Sequence, residues 1–274
     1  MWDSDPPKVL VGVDPHGCEA ALQYAVPEAI RRGTGLHLLH VERPVGWWSC
    51  VPDDLRLDEH DLRRAAQRLL GETAARAKAL VGDLGTDPEE VGVSSELSHG
   101  SAVAALESLS GHACVMVLQH HGAGPRGDTP TMSVTAGAAA VSHCPVAAVP
   151  DRWRPDREAA GVLAAVENPV RDRVVAEVAL QEATRRGVGL QVVQAVRDEP
   201  PPSLFPVVGL DVEVLVRGAA HAAEVLAERA EGSCLVVVGR HHRGSDAGAP
   251  LGATVRELLR RCQVPMLVVD ATSG

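Results

Sequence analysis

Carboxylates and glycines follow several apolar runs of this sequence, and both residue types could contact a ligand: a carboxylate accepts hydrogen bonds, and glycine exposes the backbone. Asp14 stands directly after the first apolar run, and Glu167 stands after a similar run in the second half. A loop rich in Gly, Ser, Asp and Pro separates the apolar run 235–238 from a helix that the sequence predicts after Gly252. Because glycine lets the backbone approach a ligand closely and a helix N-terminus attracts negative charge, this loop could cradle a phosphate.

Other residue groups argue against metal binding and catalysis. The pairs His120-His121 and His241-His242 follow matching strands, but successive side chains at a strand end diverge, so two neighbours do not easily reach one metal ion. No CxxC, HExxH, GxSxG or Walker lysine loop occurs. We interpret the histidines as loop residues that are solvated or donate to an anion. We expect no metal and no catalytic residue.

The composition and charge of the chain argue against several classes of protein. The 274 residues suit two domains, and the net charge of −10 would repel nucleic acid and anionic membranes. No apolar run approaches the length of a membrane span, and the N-terminus lacks the pattern of a signal peptide. The six cysteines are scattered and suit a reducing compartment. The composition therefore predicts a cytoplasmic protein without nucleic-acid or membrane partners.

Apolar periodicity predicts the elements that position these residues. The run 235–238 is typical of a strand buried on both faces. One helical face then follows at i, i+3, i+4 and i+7 spacing: Val255, Leu258, Leu259 and Cys262. Residues 266–269 predict a further strand, so the order is that of a βαβ unit in a parallel sheet. A weaker copy of this unit covers residues 114–149.

An internal repeat shows that the chain is duplicated. EAIRRGTGL at 28–36 and EATRRGVGL at 182–190 agree at seven of nine positions. We expect a first domain at 1–150, a linker at 151–158 and a second domain at 159–274. The long helix predicted at about 61–84 has no second copy, because a proline-rich segment occupies 197–209.

The two halves resemble the universal stress protein family. The resemblance rests on five strands and four helices, an acidic residue after the first strand, and a glycine loop after the fourth. It implies two tandem α/β domains of the Rossmann-like, adenine nucleotide alpha hydrolase-like type. Each would have an open parallel five-stranded sheet ordered 3-2-1-4-5 and flanked by helices, the second lacking one helix. It also implies ATP or another adenine nucleotide as ligand, adenine near the first two strand ends, and triphosphate on the glycine loop.

The family fingerprint Gly-x2-Gly-x9-Gly-(Ser/Thr) is damaged in both halves. In the first half Leu118, His121 and Met132 replace the three glycines. Bulky side chains at such positions oppose left-handed backbone and close contact with phosphate, so nucleotide binding is expected to be lost there. The resemblance would otherwise place that site at Asp14, Val41 and Ser133. It places the second site at Glu167, Ala195, Gly239, His242, Gly252, Ala253 and Thr254. Arg240 and Arg243 lie in the same loop and could partly compensate for the damaged fingerprint as phosphate ligands.

Three functions stay open at this point. The favoured one is a non-enzymatic binding or regulatory module of the stress response with degenerate nucleotide sites. The alternatives are an ATP-binding protein with slow ATPase or nucleotidyl-transfer activity at the second domain, and a structural module whose first half serves only for pairing. We expect the two domains to form an intramolecular pseudo-dimer through strands 146–149 and 266–269, and the resemblance also allows a homodimer. We interpret Trp47-Trp48 as a packing feature, although an exposed partner patch is the alternative.

Overall fold

The computed structural model describes most of the chain in two compact units. The described residues are 6–42, 58–120, 133–155, 161–166, 172–196, 211–216, 219–240 and 251–270. The units are Met1–Gln119 and His120–Gly274. The predicted proline segment 197–209 and the Trp47-Trp48 loop lie outside the described residues, so the missing helix of the second half stays a prediction.

The first unit is a parallel sheet with helices between its strands. Its sheet order is β3-β2-β1-β4, and every described strand pair in it is parallel. This is the order that the family resemblance implies for the first four strands. In chain order the elements are β1 Lys8–Gly12, α1 Glu19–Arg32, β2 Leu36–Glu42, α2 Glu59–Asp83, α3 Pro88–Val91, β3 Val93–His99, α4 Ala102–Ser110 and β4 Ala113–His120.

The second unit contains the last segment of the first half together with the whole second half. Its order is β5-β10-β9-β6-β7-β8, in which the last five strands repeat the expected 3-2-1-4-5 arrangement. In chain order the elements are α5 Val134–Val141, β5 Val146–Pro150, β6 Gly161–Val166, α6 Arg173–Arg186, β7 Leu190–Val196, β8 Asp211–Val216, α7 Ala219–Ala230, β9 Ser233–Gly239, α8 Ala253–Arg261 and β10 Met266–Val269.

The strands that end the two halves are neighbours. β5 and β10 pair antiparallel, with Ala147 opposite Leu267, and every residue of both strands is buried. The predicted contact between these strands is confirmed. Each apolar strand covers an edge of the other that would otherwise be open. This pairing explains why β5 belongs to the second compact unit, although the repeat assigns it to the first half.

The repeated sequence EAxRRGxGL forms the same structure in both halves. Gly33 and Gly187 end α1 and α6 in left-handed conformation, with φ of 60° and 65°. This is the geometry that favours glycine after a helix. The carboxylates of Glu28 and Glu182 are each 1% exposed and accept from arginines one turn later in the same helix. The repeat therefore records a local structural requirement and does not by itself indicate a ligand site.

The amphipathic pattern of the long helix is confirmed with shifted ends. α2 begins two residues before the predicted start, because the Asp58 carboxylate accepts from the backbone N–H of His60 and caps the helix. Its buried face recurs at helical spacing: Ala66, Leu70, Thr73, Ala77 and Val81. Among the described residues no helix is both long and apolar enough to cross a membrane.

Candidate functional site

The carboxyl ends of β1 and β2 bring the first predicted site residues together. Gly12 lies opposite Leu39 in the sheet register, so Asp14 follows one strand end and Val41 lies at the end of the next. The buried ring of His40 joins the two ends, because its Nδ1 lies 2.8 Å from the carbonyl oxygen of Val13. Asp14 and Val41 are therefore placed at one edge of the sheet, as the resemblance implies.

Asp14 caps the turn that follows β1. Its Oδ1 accepts from the backbone N–H of His16 at 2.7 Å, and its own carbonyl accepts from the N–H of Gly17. Gly17 has a φ of 120°, a conformation that suits glycine. The carboxylate is exposed. The carboxylate therefore caps a turn of the protein, and a ligand would have to share it with this turn.

Leu118 replaces the first fingerprint glycine and is part of the core. It lies opposite Gly12 in the parallel register, and its side chain occupies the space where a Cβ of residue 12 would stand. Only 4% of its surface is exposed. The side chain is therefore a packing element between β1 and β4, and a glycine at position 118 would leave a void.

Gln119 caps the N-terminus of α1 from a distant part of the chain. The N-cap residue Cys18 supplies no side-chain capping bond. Instead, the Oε1 of Gln119 accepts from the N–H of Ala20 at 3.0 Å. Its Nε2 donates to the carbonyl oxygen of Gly17 at 3.1 Å. Gln119 is not among the site residues predicted from the sequence, and the weak capping residue at position 18 is the signal that could have indicated it.

Cys18 is not an activated nucleophile despite its place at a helix N-terminus. Its side chain is buried, and burial raises the pKa of the thiol to about 11. A hydrogen bond with Thr73 acts in the opposite direction and is the smaller effect. The thiol is therefore protonated at neutral pH, whereas a reactive cysteine needs its thiolate.

The second predicted site lies at the carboxyl ends of β6, β7 and β9. Val166 pairs with Gln194, so Ala195 lies one residue beyond this pair on β7. Gly239 ends β9 on the other side of β6 and pairs with Val269 of β10. The chain leaves β6 towards β7 on one side and leaves β9 towards β10 on the other, and open α/β sheets form a ligand crevice at such a point.

The remaining residues of the second site are only partly described. Gly252 is the N-cap of α8, and Ala253 and Thr254 form its first turn. The N–H of Gly252 donates to the carbonyl oxygen of Arg240 at 3.2 Å, which holds the helix start beside the end of β9. The other predicted positions, Glu167, His242 and Arg243, lie outside the described residues, as do His121 and Met132 of the first half.

The guanidinium of Arg240 already has protein partners. It donates to the carbonyl oxygens of Ala140, at 3.2 Å, and of Ser142, at the C-terminal end of α5. Its Nη1 also lies 3.9 Å from a carboxylate oxygen of Asp270. Only 7% of Arg240 is exposed. A phosphate would have to compete with these partners, so the side chain is poorly placed for the phosphate-binding role that the sequence suggested.

Ser133, the remaining predicted residue of the first half, is the N-cap of α5 in the second unit. Its backbone is extended, and its hydroxyl makes no capping bond to the helix. Among the described residues no three His, Cys, Asp or Glu side chains are grouped so that they could hold a metal ion.

A separate polar cluster joins β2 to the edge strand β3. The His37 ring is 5% exposed, its Nδ1 lies 3.0 Å from the Ser94 hydroxyl, and its Nε2 lies 3.5 Å from a Glu96 oxygen. Burial lowers the pKa of His37 below its ordinary value, and the nearby Lys8 acts in the same direction. Glu96 opposes them without reversing the shift.

The lowered pKa of His37 predicts an acid-sensitive fold. Between the folded and the ordinary pKa of about 6.5, the unfolded chain binds more protons, so stability falls as the pH drops through this window. We expect the free energy of unfolding to fall as the pH is lowered from 7.5 to below about 6.5. This fall should be larger in the native protein than in His37→Gln. Denaturant melts of both proteins across this range measure the difference. Superimposable pH profiles would contradict the prediction.

Comparison with known proteins shows sequence similarity to one family. The family model described as Universal stress protein family matches residues 7–150 and 206–270. Universal stress protein Rv1996 of Mycobacterium tuberculosis is 28% identical over 300 residues, which cover 95% of this chain and 94% of the relative. Universal stress protein Rv2005c of the same organism is also 28% identical, with 95% and 96% covered.

Solved structures share the fold. A universal stress protein from Archaeoglobus fulgidus has a TM-score of 0.64 at 15% identity, and 97% of each chain is covered. A putative universal stress protein from Pseudomonas aeruginosa has a TM-score of 0.61 at 17% identity, with 98% of this chain and 94% of that chain covered.

Proposed function

Because this chain belongs to the universal stress protein family, we propose that it is a tandem binding or regulatory module with degenerate adenine-nucleotide sites and no enzymatic activity. The observation that carries the proposal is the packing at the end of β4. There, Leu118 fills the space beside Gly12 and Gln119 bonds to the loop after β1. Both side chains lie at the end of β4, where the family resemblance implies that a nucleotide would contact the backbone.

The proposal includes an intramolecular pseudo-dimer of the two repeats in the cytoplasm. Support comes from the antiparallel pairing of β5 with β10, the strands that end the two repeats. A parallel sheet edge that is paired within the chain is not open to a second chain. The module would therefore present its partner surfaces elsewhere.

A specific observation favours weak ATP binding in the second half as the other function. Gly239 and Gly252 keep the first and third fingerprint positions, and Gly252 is the N-cap of α8. Backbone N–H groups at a helix N-terminus suit phosphate. Against this, His242 and Ala253 replace a glycine and a hydroxyl, and each lost contact to phosphate costs about 1.5–3 kcal/mol.

We expect the purified protein to carry no nucleotide and to bind ATP only weakly. Denaturing the protein and separating the supernatant by chromatography detects a bound nucleotide, and calorimetry measures the affinity. Stoichiometric ATP in the purified protein would refute the degenerate-site proposal, and turnover of ATP would support the enzymatic alternative.

Paired variants locate any residual binding. The double change His242→Gly and Ala253→Ser should raise ATP affinity by at least about tenfold, because it restores two phosphate contacts in the second half. The matched control Met132→Gly restores one glycine in the first half, where the other two are also missing, and should change little. Binding that survives Gly252→Trp but is abolished by Ser133→Trp would place the site in the first half and contradict this assignment.

A further inference from the structure

The first unit has a topological switch point at β1, and open parallel sheets form a crevice outside the carboxyl ends of the strands at such a point. β1 lies between β2 and β4 in the sheet, and all three strands are parallel. The chain leaves β1 towards α1 and β2 on one side, while β4 flanks β1 on the other. In open parallel sheets the space outside the carboxyl ends of such strands is where ligands bind.

A side chain of the protein bridges this crevice. From the end of β4, Gln119 reaches both the turn after β1 and the first turn of α1, with bonds of 3.1 Å to the Gly17 carbonyl and 3.0 Å to the Ala20 N–H. The Gln119 amide thus supplies one acceptor and one donor to the loop after β1, which lies on the other side of the crevice. These are bonds that a polar ligand could otherwise make there.

The need for this bridge follows from α1 itself. Ala20 N–H belongs to the first helical turn, where backbone donors lack partners within the helix. Cys18, the N-cap residue, supplies no side-chain capping bond to the helix. Gln119 satisfies the donor, so the loop after β1 and the end of β4 are held together.

The residue of the second half that corresponds to Gln119 makes different contacts. Gln119 comes directly after Leu118, and Arg240 comes directly after Gly239, which holds the same fingerprint position. The guanidinium of Arg240 donates to carbonyl oxygens of Ala140 and Ser142. The bridge is therefore particular to the first half and is not a property of the repeat.

We infer that the Gln119 amide is a built-in occupant of the first unit's crevice, which keeps that crevice closed to a nucleoside-sized ligand. The inference rests on the proposed function, since it names the residue that closes the degenerate first site. It adds that closure depends on one side chain at the end of β4 as well as on the damaged fingerprint.

The test uses the full chain with adenosine as the probe, because the phosphate loop of the first half is damaged separately. Gln119→Ala removes the bridge, and Gln119→Asn withdraws the amide by one methylene if the alanine variant does not fold. The control Gln119→Glu keeps the side-chain length and an acceptor for the Ala20 N–H but loses the donor to the Gly17 carbonyl oxygen. Hydrogen exchange at Ala20 reports whether the bridge is broken.

We expect Gln119→Ala to speed exchange at Ala20 and to raise adenosine affinity by at least about tenfold, whereas Gln119→Glu, which keeps one of the two bonds, should change both by less. A folded variant with fast exchange at Ala20 and unchanged adenosine binding would overturn the inference. Native protein that already binds one nucleotide would refute the degenerate-site proposal. The closure by Gln119 would still stand if the variant raised the stoichiometry of adenosine from one to two.

Discussion

Replacing Arg240 with alanine should lower the free energy of unfolding by about 3 kcal/mol. The guanidinium is nearly buried and donates to two carbonyl oxygens at the C-terminal end of α5. A helix C-terminus carries partial negative charge, and its last carbonyls lack partners within the helix. Without the arginine these carbonyls would have to be rehydrated or left unpaired, and Asp270 would lose a nearby positive charge.

Chemical denaturation of Arg240→Ala measures this loss. The matched control is Arg260→Ala, which removes the same side chain from a solvent-exposed pair with Glu257 on α8. Exposed ion pairs contribute little, so this control should change stability by less than about 1 kcal/mol. Equal and small effects of the two substitutions would show that the bonds between Arg240 and α5 do not stabilise the fold.

Gly35→Ala should cost about 2–3 kcal/mol, because the new methyl group has no room. A Cβ at this position would lie 2.8 Å from the carbonyl oxygen of Gly92 and 2.9 Å from that of Val91. Both atoms belong to the backbone, so no side chain can rotate away. The Gly35 carbonyl also accepts from the N–H of Val9, and a shift would therefore disturb β1.

The matched control is Gly71→Ala on the exposed face of α2. No described atom lies within 4 Å of a Cβ there. Alanine in an exposed helix interior is favoured over glycine by about 0.5–1 kcal/mol, so the two substitutions should have opposite signs. Thermal or denaturant melts of both variants measure the two changes in stability. A neutral Gly35→Ala variant would mean that the approach of α3 to β2 is looser than the structure shows.

Much of the fold followed from local pattern. The strand predicted at 266–269 is β10, the apolar run 235–238 lies within β9, and the predicted helical face beginning at Val255 lies on α8. They could be predicted because each depends on neighbours in sequence: helical spacing of small and apolar residues, a glycine or proline at the end, or a β-branched run. The duplication was visible for the same reason, since the left-handed caps at Gly33 and Gly187 require the same residue type twice.

The sequence also determined which positions of the ligand fingerprint are replaced, such as Leu118, and which are kept, such as Gly252, because residue identity needs no coordinates. What those side chains do was decided only by the tertiary structure. Gln119 reaches Ala20 across 99 positions of the chain, and Arg240 reaches Ala140 across 100. Such partners depend on which strands are neighbours in the sheet, and no local periodicity records that. For the same reason β5 joined the second compact unit: its hydrogen-bonding edge is satisfied by β10, and edge pairing is a property of the assembled sheet.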